Sequence, residues 1–270
     1  MGNIFSVKRP FDVKRIREFS SKNAIFLVLL GLIAFTAIIK PSFLQIDNLL
    51  NILRISSVRA IIALGVGGIL ITRGTDLSAG RTVGFAACIA ASLSQRPDYA
   101  SKLFPDLPLM PLIVPILAAL AVGLLIGIFN GTVVAFLNVP PFIATLGTMV
   151  IVYGAVSLYV DRPPRGAQPI GGLREDFTNL GTADTFGIPN LILIAVVIML
   201  VIFVILTKTR LGKNIYAIGG NPEAAVVSGV NVKKNLIIVY IIGGLLYGLA
   251  GVLLAARTGG ATNNYGMSYE

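Results

Sequence analysis

Two apolar runs decide how this chain folds: LILIAVVIMLVIFVIL at residues 191–206 and LIIVYIIGGLLYGLAGVLLAA at residues 236–256. The first contains no polar side chain and the second no charge. Wound as helices, runs near this length match a bilayer hydrocarbon core of about 30 Å. Between them lies a basic, glycine-punctuated interval, TKTRLGKNIYAIGGNPEAAVVSGVNVKKN, at residues 207–235. A connection that only joined two neighbouring helices needs about 2–8 residues. This one is several times longer, so it is expected to carry a task of its own.

The rest of the chain agrees with the two runs. Hydrophobic residues make up 55% of the sequence and charged residues 13%, with a mean hydropathy of +0.85. Soluble domains carry about 25% charge. The pattern predicts an all-α, polytopic helical membrane protein with seven crossings, near residues 24–39, 56–72, 82–95, 110–137, 142–160, 188–207 and 236–256. The third is short for a span and the fourth is long. Residues 1–23 form a polar N-terminal tail, residues 24–256 the transmembrane domain with the 208–235 loop inside it, and residues 257–270 a C-terminal segment. Pro115, Pro140 and Pro141 interrupt or bound helices. Glycines spaced by four recur at Gly80/Gly84, Gly123/Gly127/Gly131 and Gly244/Gly248. Such spacing lets helix backbones approach closely in lipid.

The net charge of +10 does not point to nucleic acid, because its placement follows the membrane. The tail holds six Lys/Arg against two acids, and residues 208–235 hold Lys208, Arg210, Lys213, Lys233 and Lys234 against Glu223. Both ends of this six-crossing interval therefore read as cytoplasmic under the positive-inside bias. Arg73 and Arg81 against Asp76 place residues 73–81 on the same side, and the slightly acidic 161–187 loop falls outside. Lys40, Arg54 and Arg59 dissent from this topology and allow a short interfacial helix near the second segment. With no histidine and the single cysteine Cys88, no cofactor or ordinary metal site is expected and no intrachain disulfide can form.

Within the long loop, Asn221-Pro222-Glu223 reads as a helix start: cap, first helical position and acidic first turn. The helix should stop near Gly229. Ala224, Ala225 and Ser228 give it a small-residue face suited to a partner's groove. The alternative is a juxtamembrane helix resting on headgroups, although such helices need a larger apolar face.

These residues carry a resemblance. GGNPEAAVVSGV at 219–230, preceded by TRLGK at 209–213, is similar to the coupling segment of bacterial ABC sugar importer permeases of the ribose/galactose class. GTDLSAGR at 74–81, NVPPFIATLGTM at 138–149 and ATNNYG at 261–266 resemble further signatures of that class. Thr75, Ala79 and the Ala261–Asn264 run look most like its galactose/methyl-galactoside branch. The resemblance implies a fold of about ten crossings, a permease in the bacterial inner membrane and an N-terminus inside. It also implies pairing with a second permease copy, a cytoplasmic ATPase and a periplasmic sugar-binding protein. Gly220, Asn221, Pro222, Glu223, Ala224, Ala225, Ser228 and Gly229 would form the ATPase-coupling segment. The sequence independently holds no P-loop, since the Gly212-Lys213 pair is followed by Asn214. The chain is therefore expected to be a transport subunit rather than an enzyme.

A neutral sugar needs hydrogen-bonding groups without fixed charge, and Ser78, Asn130, Thr145, Thr148 and Tyr153 supply them, with Ser157 nearby. Asp76 is read in two ways. It caps the helix beginning at Leu77 or Ser78, neutralised by Arg73 or Arg81, or it takes part in the sugar path. Because relatives of the class are longer, a C-terminally truncated, non-transporting remnant is the main rival reading. A secondary sugar carrier is less favoured, since residues 110–160 hold no ionisable pair in their apolar part.

Overall fold

The computed structural model describes residues 21–162, 166, 168–267 and 269, so most of the expected tail lies outside the described residues. The chain forms two compact units, Met1–Ile52 and Leu53–Glu270. The described part of the first holds α1 (Ala24–Ile39), a 3-10 turn at Pro41–Leu44 and the opening turns of α2 (Ile46–Ile71). Asn48 ties those turns to the 3-10 turn by donating to the Phe43 carbonyl at 2.8 Å.

The second unit continues α2 and adds α3 (Ala79–Leu93), α4 (Ile113–Phe136), α5 (Pro141–Val160) and α6 (Glu175–Thr182). A two-strand hairpin, β1 (Asp184–Thr185) and β2 (Ile188–Pro189), precedes α7 (Asn190–Lys208), α8 (Arg210–Gly220), α9 (Pro222–Val227) and α10 (Val232–Thr258). Among the described residues, five helices, α2, α4, α5, α7 and α10, are long and apolar enough to cross a membrane, while α1 and α3 are shorter apolar helices. The seven expected segments are all present as helices. α3 rises only about 22 Å over its 15 residues. A non-helical turn at 72–78 joins it to α2.

The second segment begins ten residues earlier than expected, with the short 3-10 turn at Pro41–Leu44 ahead of it. The dissenting charges explain this. Arg54 pairs with Asp184 of the hairpin at 2.8 Å, and Arg59 lies over the Tyr269 ring at 5.9 Å. Both cations have partners, so the helix runs through them.

α10 is the centre of the bundle. It packs along α4, where Gly123 meets Gly244 and Gly127 meets the Tyr240 backbone so closely that a Cβ at either α4 position would overlap main-chain atoms. The packing role expected for these glycines is present here. Gly80 and Gly84 receive a different partner. After α10 the chain doubles back, pairs Ala261 with Ile170 and lays Tyr265 and Gly266 (φ +88°) on the two α3 glycines. Cys88 donates to the Thr262 carbonyl at 3.3 Å beside them.

Two ends result. At one, the 94–109 and 161–175 connections bind each other: Arg96 N–H to the Gly172 carbonyl, Arg174 N–H to the Ser94 carbonyl, and Gln95 Nε2 to the Gly171 carbonyl at 2.8 Å. Arg174, hydrogen-bonded beside it, holds the Asp176 carboxyl below the usual carboxylate range. At the other end, the 72–74 turn meets α8, and Lys233 lies over Phe136 at 5.3 Å.

Candidate functional site

The long basic interval is more ordered than its composition suggests. Thr209 caps α8 by accepting from Gly212 N–H at 3.2 Å. Sequence reasoning missed α8, reading Gly212, Gly219 and Gly220 as loop. The signal was there: Leu211, Ile215 and Ile218 recur at helical spacing, and the two isoleucines are buried. Gly219 sits where a Cβ would overlap the Ile71 carbonyl oxygen, so α8 lies flush on the end of α2.

Asn221 then turns the chain. Its side-chain oxygen accepts from Glu223 N–H at 3.0 Å and from Ala224 N–H at 3.1 Å, with Pro222 at the first helical position. The expected cap is therefore present. The helix stops at Val227, and Gly229 (φ +81°) closes it. Val230 N–H bonds back to the Ala225 carbonyl and Gly229 N–H to that of Val226.

One detail of the expected small-residue face is corrected. Ala225 is buried within the chain rather than presented outward. The exposed face is formed by Asn221, Pro222, Glu223, Ala224, Val226, Val227 and Ser228. Val227 is 90% exposed, an unusual position for a branched apolar side chain.

The other candidate residues gather into a second site. Thr148 donates to Asn130 Oδ1 at 2.6 Å. Asn130 Nδ2 donates to the Ser78 hydroxyl at 2.9 Å, and Ser78 donates to Asp76 Oδ1 at 2.6 Å. The three donors all point toward the carboxylate, an arrangement in which each bond polarises the next. Ser78 N–H also donates to Asp76 at 2.9 Å, so Asp76 closes the turn before α3 rather than capping the helix, whose N-cap Ser78 carries no side-chain cap bond. Arg73 does not neutralise it, since its guanidinium turns to the Gly220 carbonyl at 2.6 Å.

Thr145 joins from the side, accepting from Leu77 N–H at 3.2 Å and donating to the Pro141 carbonyl at 2.8 Å. The Thr75 carbonyl receives the Tyr240 hydroxyl at 3.4 Å. Tyr247, a residue the sequence did not single out, brings its hydroxyl beside the Asp76 carboxyl but outside hydrogen-bonding geometry. Asp76, Ser78, Asn130, Thr145 and Thr148 are all buried. Tyr153 stands apart, half-exposed under the Arg81 guanidinium at 4.3 Å. Next to the turn, a cleft of about 290 Å³ opens between Thr72, Gly74, Asn138, Pro140 and Tyr240. Among the described residues no cluster of three metal-ligating side chains occurs.

Residues 48–270 match the family model described as branched-chain amino acid transport system / permease component. A galactose/methyl galactoside import permease protein of Haemophilus influenzae is 49% identical over 92% of this chain and 75% of its own length. Its counterpart in Escherichia coli is 48% identical over 95% of this chain and 77% of its own length. A ribose import permease protein of Haemophilus influenzae is 37% identical over 95% of this chain and 75% of its own. No solved structure matches the chain. The resemblance to ribose/galactose-class permeases holds across several of these relatives. By the family match over most of its length, the chain belongs to the branched-chain amino acid transport system permease component family, as a polytopic helical membrane permease.

Proposed function

We propose that this chain is the membrane subunit of an ATP-driven importer that carries a monosaccharide of the galactose/methyl galactoside kind across the bacterial inner membrane. α9 docks in a groove of a cytoplasmic ATPase, a second permease copy completes the pathway, and a periplasmic binding protein delivers the sugar. The N-terminus and the 208–235 interval lie inside. The observation that carries the reading is α9 itself: a capped, closed, six-residue helix presenting Val226 and Val227 outward. A headgroup-lying helix would bury such side chains in lipid across a longer apolar face. The names of the relatives support the substrate class. The basic residues of the interval support its orientation. Of the proposed path residues, Asp76, Ser78, Asn130, Thr145 and Thr148 hold helices together beside the inner cleft, and Tyr153 faces outward from the bundle.

The test is uptake of labelled galactose into proteoliposomes holding the assembled importer, with and without ATP. Val227→Arg should reduce co-purification of the ATPase and ATP-dependent uptake about tenfold while leaving membrane insertion intact. Uptake that persists without the ATPase would assign the chain to a secondary carrier class instead.

A further inference from the structure

We infer that the turn at residues 72–78 is the joint through which the 210–230 segment moves the helix bundle, with Arg73 and Gly219 as positioning residues outside the docking helix. The inference rests on the reading of α9 as the ATPase-docking element and extends it inward.

Two contacts tie the segment to the turn. Gly219 lies against the Ile71 carbonyl with no room for a Cβ, so no side chain cushions the two backbones. Arg73 holds φ +61°, a left-handed conformation that few residues other than glycine adopt. From that conformation its guanidinium reaches the Gly220 carbonyl at 2.6 Å, one residue before the Asn221 cap. The strained backbone and the reach of the side chain occur at the same residue, which marks a site where geometry is held for a purpose.

The turn is equally tied on its inner side. Thr72, Gly74, Asp76 and Ser78 are buried. Asp76 and Ser78 connect through Asn130 to α4 and through Thr148 to α5. Tyr240 of α10 bonds the Thr75 carbonyl. A displacement of α8 and α9 therefore has a continuous, hydrogen-bonded route into three long helices, and Thr72, Gly74 and Tyr240 along it also wall the inner cleft. Packed elements of this kind shift as units rather than deform.

The experiment uses the whole importer in proteoliposomes and reads sugar taken up per ATP hydrolysed. Arg73→Gly relaxes the backbone while deleting the guanidinium, and Arg73→Lys keeps a cationic donor. Arg73→Gly should assemble with the ATPase yet lose about fivefold in sugar per ATP, and Arg73→Lys should recover most of the loss. A ratio for Arg73→Gly within about twofold of the parent overturns the joint, provided Val227→Arg still uncouples. If Val227→Arg leaves ATPase association unchanged, the docking reading fails instead, so the two failures are distinguishable. Gly219→Ala, which forces α8 off the Ile71 carbonyl, should lower sugar per ATP as Arg73→Gly does, and an unchanged ratio overturns its positioning role; should it not assemble, the Arg73 pair decides alone.

Discussion

Gly123 of α4 and Gly244 of α10 meet backbone to backbone: a Cβ added to either would overlap the other's carbonyl oxygen. In lipid, where water exclusion does not drive helices together, such an approach supplies dispersion contacts and weak Cα–H bonds. Gly244→Ala should force the pair apart and cost about 1–3 kcal/mol. Thermal unfolding in detergent should show the loss. A midpoint unchanged from the parent would mean the helices can slide to make room.

The buried chain from Thr148 to Asp76 should behave as one unit. Asn130→Leu leaves the Ser78 and Thr148 hydroxyls without their partner and should cost about 1–3 kcal/mol. Thr148→Val, at the far end, should cost less. Combined, the two should lose clearly less than their sum. Strict additivity in chemical denaturation would show that the residues act separately.

The Arg54–Asp184 pair is partly solvated, its side chains 26% and 43% exposed. A double-mutant cycle with Arg54→Ala and Asp184→Ala should therefore give a coupling of about 1 kcal/mol or less. A coupling several times larger would mean that the bilayer, rather than water, surrounds the pair.

Orientation can be read with thiols, because Cys88 is fully buried and should stay silent. Ser228→Cys, on the exposed side of α9, should resist an impermeant maleimide added to sealed cells and react after permeabilisation. Phe186→Cys, at the fully exposed tip of the hairpin, should react from outside. The reverse pattern would invert the proposed topology.

Much of the fold was legible because bilayer thickness acts on composition alone: each apolar run became a helix. Boundaries were missed where a charge found a distant partner, as Arg54 did in Asp184, 130 residues away. α8 was missed because its glycines serve close packing, at Gly219 against Ile71, rather than flexibility. In the candidate site, the Asn221 cap was readable because it is local, spanning three residues. The burial of Ala225 and the Asp76–Thr148 chain depend on where helices cross, which spacing along one helix does not reveal. Tyr240 and Tyr247 carried no motif, and only the fold brings them beside the 72–78 turn, where the Tyr240 hydroxyl meets the Thr75 carbonyl.

The two helices that suspend the 209–231 segment are held very differently. Of the most apolar stretch in α10, 61% is buried in the protein, against 17% in α7. One support is gripped by its own bundle, and the other leaves most of its surface free of it. Thr209 is the one residue between α7 and α8, and Gly212 sits hard against the Leu206 carbonyl, so a shift of α7 is passed directly to the segment. The segment thus hangs between one anchor fixed by its own chain and one that answers to whatever lies beside α7.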